Sequence, residues 1–332
     1  MTAEYRLALR KHYGRLGLAL LVYYVVTAAA QFVCQLAALA WAPDWAEADW
    51  FAPALAFVPM YLIGFPLFLL LLPEAPASLP EKTGLGGVGE LVICLLMCMG
   101  VLYPCNLLGQ GITGLLGRFL GGTGENPLEQ MLNRLDLWSI ALFAVILAPI
   151  MEELIFRKLL LDRMRTIDRP TAVLFSALAF GLFHGNLSQF FYAFGVGLVF
   201  GSIYVRTGRL RYTIILHILV NAIGSLAPML ILGDGESLSL EELLARGAEA
   251  MPDMVENLPS VLGMGLFSLV IFCCTIAGIV FLVKRFPRLR YRTPEDRLPE
   301  PWTAFCTVFL TGGFAVFLLA SALQMVLSLL AT

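Results

Sequence analysis

The sequence predicts an all-α polytopic membrane protein, a bundle of about nine transmembrane helices with its N-terminus cytoplasmic, and three observations carry that prediction. Of the 332 residues, 59% are hydrophobic and only 14% charged, with a mean hydropathy of +0.82. A soluble domain of ordinary composition is far more polar. Nine runs approach the roughly 20 apolar residues that a bilayer core requires. Finally, 19 of the 22 Lys and Arg residues fall in alternate connections between those runs. Positive residues are retained on the cytoplasmic side, so this alternation orients the chain.

The runs cover about 16–41, 51–72, 88–110, 137–160, 171–187, 189–205, 212–232, 261–283 and 302–330. The first follows Arg6, Arg10, Lys11 and Arg15, as a secretory signal would. It is too long for the roughly 7–15 residue apolar core of a signal peptide, so a first membrane helix is expected. The fifth and sixth are short and separated only by Gly185–Gln189, which predicts a tight helical hairpin. Three regions result: 1–136 with helices one to three, a core over 137–232, and 233–332 with an external acidic loop and two C-terminal helices.

The basic residues lie before run one and after runs two, four, six and eight, which places the C-terminus outside. Pro73–Gly87 is Pro/Gly-rich and expected to be irregular. In the acidic loop Gly233–Asn257, Ser239-Leu-Glu241-Glu242 reads as a capping box opening a short surface helix to about Ala248. The basic stretch Lys284–Arg297 is explained by topology, with anionic headgroups as an alternative. A net charge of −2 leaves no basic surface for nucleic acid. The seven cysteines lie in or beside apolar runs and are expected as packing residues rather than disulfides or metal ligands. Gly197 and Gly201 form a GxxxG on run six, expected to serve close internal packing, with dimerisation as the alternative.

Charge inside an apolar run is costly and usually functional. Run four carries Pro149, Glu152, Glu153 and Arg157. Adjacent helical residues point about 100° apart, so the two glutamates are expected to do different work. Glu153 and Arg157, at i and i+4 with the acid first, form a favourable ion pair, which leaves Glu152 free for chemistry. Pro149 removes a helical hydrogen bond and bends the run. The alternative is that both acids sit at the cytoplasmic interface and pair with Arg157 and Lys158. In run five Phe180 can pack on His184 at i+4, and in a hairpin turning at Asp168 the residues Glu152 and His184 come level. Run seven carries His217 and Asn221 on one face, two groups able to donate to an oxyanion. Polar glue between helices is the alternative for them. With straight helices His217 lies shallower than His184, so tilt or a cytosolic projection of runs four and five is required.

The ordered set Glu152-Glu153-x-x-x-Arg157, Phe180-x-x-x-His184 and His217-x-x-x-Asn221 resembles the CPBP family of intramembrane proteases. This family is also called Abi and includes the type II CAAX prenyl endopeptidases and bacterial relatives linked to bacteriocin processing and immunity. The resemblance covers roughly Leu137–Ile231 and implies a conical intramembrane catalytic core that hydrolyses peptide bonds of membrane-associated proteins or peptides. It implies that Glu152 with His184 binds and deprotonates water, that His217 and Asn221 stabilise the oxyanion, and that Glu153 and Arg157 hold the site together. The family is named for metalloproteases, and Glu152, His184 and His217 would be the zinc ligands. The soluble-type HExxH is absent and Asn221 suits an oxyanion hole, so no cofactor is expected, with zinc as the alternative. The resemblance further implies an integral protein of the bacterial plasma membrane whose site opens to the cytoplasmic side. Transporter and non-catalytic scaffold are the rival classes.

Overall fold

The structure, a computed structural model, describes residues 3–48, 50–75, 82–120, 135–164, 169–232, 258–289 and 301–331. Every regular element among them is helical. In chain order they are α1 (Ala3–Trp41), the short α2 (Pro43–Glu47), α3 (Phe51–Leu71), α4 (Val88–Leu120), α5 (Leu137–Arg163) and α6 (Arg169–Phe183). There follow α7 (Leu187–Thr207), α8 (Leu210–Ile231), α9 (Leu258–Leu289), the short α10 (Pro301–Phe309) and α11 (Gly312–Ala331).

Eight of these helices are long and apolar enough to cross a membrane, not nine. The expected fifth span is the 15-residue α6, which at 1.5 Å per residue reaches only about 22 Å against a core of about 30 Å. Its Phe175, Ser176, Ala179 and Phe180 are buried, so it is an internal strut of the bundle. The expected hairpin is present. α6 passes into α7 through Gly185 at φ +67°, and Asn186 caps α7 by accepting from the Gln189 N–H at 2.9 Å. The predicted capping box at Ser239 and most of the basic stretch Lys284–Arg297 lie outside the described residues.

α1 has 39 residues, about 58 Å of helix, and its basic first turns therefore run past any bilayer core. There the His12 imidazole bonds the Arg163 carbonyl at 2.9 Å. The Arg163 guanidinium donates to the carbonyls of Pro73 and Leu159, each at 2.7 Å. The ends of α1, α3 and α5 are thus tied together beyond the apolar zone. All five tryptophans, Trp41, Trp45, Trp50, Trp138 and Trp302, are exposed and stand at or beside helix ends, where an aromatic belt meets the headgroups.

Three spans contain wide π-type turns placed just before a proline: Pro59–Gly64 before Pro66, Ile140–Leu147 before Pro149, and Ala222–Leu226 before Pro228. A proline ring clashes with the carbonyl four residues back. Here those carbonyls, of Leu62, Val145 and Gly224, all lie inside the widened turns. The bend expected at Pro149 therefore takes the form of a π segment, one of the recognised ways a helix absorbs such a residue.

Between helices in lipid there is little hydrophobic drive, and close packing of small residues holds the bundle. Gly197 and Gly201 of α7 press on Ala177 and Val173 of α6, which makes the GxxxG an internal contact. α1 and α11 cross at Gly17 and Gly313, where an added Cβ would collide with backbone. α4 and α9 cross in the same way at Gly100 and Gly278. One buried apolar cluster joins α1, α3, α5, α6, α7, α10 and α11, and a second joins α4, α7 and α8. Gly17→Leu should therefore lower stability by about 1–3 kcal/mol, the usual cost of overpacking. Gly111→Leu, which meets nothing within 4 Å, should leave thermal unfolding in detergent unchanged; equal effects would contradict the crossing.

Candidate active site

α5 delivers the acidic pair between two π segments, Ile140–Leu147 and Leu154–Leu160, so that Ala148–Glu153 is a short α-helical island. Glu153 and Arg157 are both fully buried and pair at 3.1 Å, Nε to Oε2. Arg157 Nη1 donates to Ser176 Oγ at 2.8 Å, and that hydroxyl donates to the Phe156 carbonyl at 2.7 Å. Arg157 Nη2 has no hydrogen-bond partner. The guanidinium carbon instead stands 5.2 Å from the Phe180 ring and 6.0 Å from Phe200, so π faces take over part of its solvation. The interface alternative, in which both acids pair with Arg157 and Lys158, does not hold: Lys158 bonds Asp162 at 2.7 Å.

His217 of α8 closes the cluster. Its Nδ1 lies 3.2 Å from Glu153 Oε1, and its Nε2 lies 3.6 Å from Glu152 Oε2. Thr213, one turn earlier on the same face of α8, is fully buried and donates its hydroxyl hydrogen to the Leu210 carbonyl at 3.1 Å. A carboxylate on Nδ1 orients the imidazole and directs Nε2 at the second glutamate. Glu152 is the more open acid, with 24% of its side chain exposed against none for Glu153. The two acids therefore have different surroundings, as their 100° separation requires: one is locked and the other accessible.

His184 stands at the far end of α6. Its Nδ1 bonds the Phe180 carbonyl at 2.8 Å, and since a carbonyl only accepts, Nδ1 carries the proton and Nε2 is left as an acceptor. Phe180 packs edge-on against His184 at 5.0 Å, as its i, i+4 spacing predicts, and also against His217 at 5.7 Å. One ring thus links the two imidazoles across the depth difference expected from straight helices. Gly185 needs its positive φ, and a Cβ there would press on Tyr24 Oη and Gln324.

Asn221 does not donate beside His217. Its Nδ2 bonds the carbonyl of Ala144 at 2.8 Å. The reason lies in the π segment. The Ala148 N–H reaches back five residues to Phe143 O, so the next carbonyl, Ala144 O, should be served by residue 149. Residue 149 is a proline and has no N–H. Asn221 supplies the missing donor and leaves its second amide hydrogen available.

No group of three His, Cys, Asp or Glu side chains close enough to hold a metal ion occurs among the described residues. Glu152 and His217 adjoin, but His184, although its Nε2 is open, is not close enough to group with them. The donors as placed do not fit a three-ligand zinc site, and no step is derived through a metal.

Residues 134–223 match the sequence model of the type II CAAX prenyl endopeptidase Rce1-like family. The chain is 30% identical over 120 residues to "Putative membrane peptidase YdiL" of Bacillus subtilis, covering 35% of this chain and 49% of that protein. It is 34% identical over 86 residues to the membrane-embedded CAAX protease MroQ of Staphylococcus aureus, covering 24% of this chain and 35% of that protein. Over this segment the chain is thus similar to the Rce1-like CAAX prenyl endopeptidases and to bacterial membrane peptidases, and its matches span half or less of the curated relatives' length. No solved structure matches it.

Ser176 and Phe200 belong to the cluster and were not singled out by sequence. Ser176 stands four residues before Phe180 on the same helix face, which is the signal that would have found it. For the amide bridge, Asn221→Ala should cost about 1–3 kcal/mol by orphaning a half-buried carbonyl within an apolar span. In a Pro149→Ala background, where the backbone regains an N–H at that position, the cost should shrink. Thermal unfolding of the four proteins forms the double-mutant cycle, and strict additivity would contradict the bridge.

Proposed function

We propose that this protein is an intramembrane endopeptidase that hydrolyses peptide bonds of membrane-associated proteins or peptides with a water activated by Glu152. The observation that carries the proposal is the buried Glu153–Arg157–His217 assembly holding an accessible second glutamate, inside the family-matched segment. Such a cluster is expensive in an apolar bundle and positions Glu152 without competing for its proton.

In the proposed reaction a water donates one hydrogen to Glu152 and the other to His184 Nε2, and its oxygen attacks the scissile carbonyl carbon. Glu152 takes the proton as the C–O bond forms. His217, as an imidazolium with Nδ1–H on Glu153 and Nε2–H left to donate, and the second N–H of Asn221 are the donors proposed for the oxyanion. Collapse of the tetrahedral species breaks the C–N bond, and Glu152 returns the proton to the leaving nitrogen, giving an amine and a carboxylic acid, which then ionises by releasing its proton to solvent. The proposed catalytic set is Glu152, His184, His217 and Asn221, with Glu153 and Arg157 as their support. No cofactor is required by this scheme. The cytoplasmic side of a bacterial plasma membrane is the proposed setting, since α5 and α8 connect through the basic loops nearest Glu153 and His217.

Purified protein in detergent should cleave a farnesylated peptide, and Glu152→Gln or His184→Ala should lower the rate by at least about 10²-fold with the fold intact. Activity should persist in 1,10-phenanthroline. Unchanged cleavage by both variants would remove the assignment. Glu153→Gln and Arg157→Ala should behave differently and lose about 3–5 kcal/mol of stability, because each leaves a buried charge unpaired.

A further inference from the structure

The turn that carries His184 continues into a short polar chain. Asn186 Nδ2 donates to the His184 carbonyl at 3.0 Å and to Gln189 Oε1 at 2.6 Å. Gln189 Nε2 in turn donates to Tyr192 Oη at 2.9 Å. Asn186 is fully used, since its Oδ1 also accepts from Ser188 Oγ at 2.8 Å and from the Gln189 N–H at 2.9 Å. The chain is not used up at its other end. An amide nitrogen carries two hydrogens and a phenol oxygen one, so the second Gln189 Nε2 hydrogen and the Tyr192 hydroxyl hydrogen are left over, and neither has an acceptor among the described residues.

These two donors belong to the site side of α7. Gln189 and Phe200 are eleven residues apart, three turns to within about 20°, and so share a helix face. Phe200 stands 6.0 Å from the Arg157 guanidinium carbon and 5.2 Å from the His217 ring. Two successive hydrogen bonds through Asn186 tie the Gln189 amide to the main chain of His184, and the bond from Gln189 Nε2 draws the Tyr192 hydroxyl to the same place. The Tyr192 ring packs on the buried cluster that contains Phe180. Both Gln189 and Tyr192 are half-buried and keep part of their surface open. Donors left without acceptors in an apolar bundle are costly, which calls for an acceptor brought in from outside the chain.

Resting on the hydrolase reading above, we propose that Gln189 and Tyr192 are substrate-binding residues whose free hydrogens are donated to a main-chain carbonyl of the peptide flanking the scissile bond. Both are neutral donors and suit a neutral acceptor. A carboxylate in the same place would need a cation, and Arg157, the cation of the cluster, is committed to Glu153 and Ser176. Every peptide carries main-chain carbonyls whatever its side chains, so this contact seats the chain without selecting its sequence. No bond to Gln189 or Tyr192 is made or broken in the reaction. Their contribution is to hold the substrate in register beside His184.

Tyr192→Phe removes one oxygen and keeps the packed ring, so the variant should fold. Full-length wild type, Tyr192→Phe, Gln189→Met, Tyr5→Phe and Glu152→Gln are compared on a fluorogenic farnesylated peptide in detergent. They are then compared on a series in which each peptide bond flanking the scissile one is replaced in turn by a trans-alkene, which keeps the shape and removes the carbonyl. Tyr5, exposed in the first turns of α1, controls for loss of a phenol hydroxyl elsewhere. On the parent peptide we expect kcat/KM of Tyr192→Phe and Gln189→Met to fall about 3- to 10-fold, the range of one neutral hydrogen bond, and Tyr5→Phe to match wild type. For one alkene peptide, wild type should lose a similar factor and the difference between wild type and Tyr192→Phe should vanish. A Tyr192→Phe penalty that is the same on every peptide is an effect on the fold and overturns the carbonyl contact. An unchanged kcat/KM in Tyr192→Phe, while Glu152→Gln is inactive, overturns it as well and leaves the hydrolase reading standing. Wild type no more active than Glu152→Gln overturns the hydrolase reading and this contact with it.

Discussion

Two opposite charges, Glu153 and Arg157, are shut away from solvent inside an apolar bundle, and the packing of the central helices follows from satisfying them. Desolvating such a pair costs more than its attraction returns unless the remaining hydrogen-bonding positions are filled. All but Arg157 Nη2 are met from three elements: Ser176 of α6 and His217 of α8 by hydrogen bonds, and Phe180 and Phe200, of α6 and α7, by their π faces. Each partner must sit at one depth and one rotation. The crossing of α5 with α6 and α8 is therefore set by polar geometry, in surroundings where apolar packing alone would tolerate sliding.

The backbone of α5 answers to the same demand. Its π segments break the ordinary hydrogen-bond ladder on both sides of the acidic pair, and a freed carbonyl in such a place needs a donor. Asn221 provides one at Ala144, so the residue that shares a face with His217 also pins the wide turn that makes room for Pro149. Site and backbone are coupled through α8: His217 holds the side chains of α5 and Asn221 holds its main chain, one turn apart. This arrangement gives Asn221 two hydrogens with two uses, one structural and one open to chemistry.

The helices outside the family-matched segment are not mere membrane ballast. α1 reaches from Arg163, at the far end of α5, to Phe183 beside His184, and its crossing with α11 depends on glycines at the contact. The short α6 could not stand alone across a bilayer; it is enclosed by α1, α5, α7 and α11 through rings such as Tyr13, Phe156 and Phe314. Enclosure allows a helix that is too short to span to end inside the bundle. His184 and the irregular turn at Gly185 can then sit at depth, because backbone that leaves the helix there is covered by protein.

What the residues determined by themselves was whatever depends on one helix at a time. Membrane class came from apolar run length. The Glu153–Arg157 pair and the Phe180–His184 contact came from i, i+4 spacing, which places side chains together before any tertiary contact forms. The different surroundings of Glu152 and Glu153 came from the rotation per residue. Tertiary structure alone decided which helix faced which. His217 went to the glutamates, Asn221 to a carbonyl freed by a proline 72 positions away in sequence, and Tyr23 to Phe183. Hydropathy could not separate α6 from a true span, because its run continues through Phe183 while the helix stops there. Local periodicity fixes the face of a helix but carries no information about its rotation against a neighbour; that is settled only when every buried donor and acceptor has found its partner.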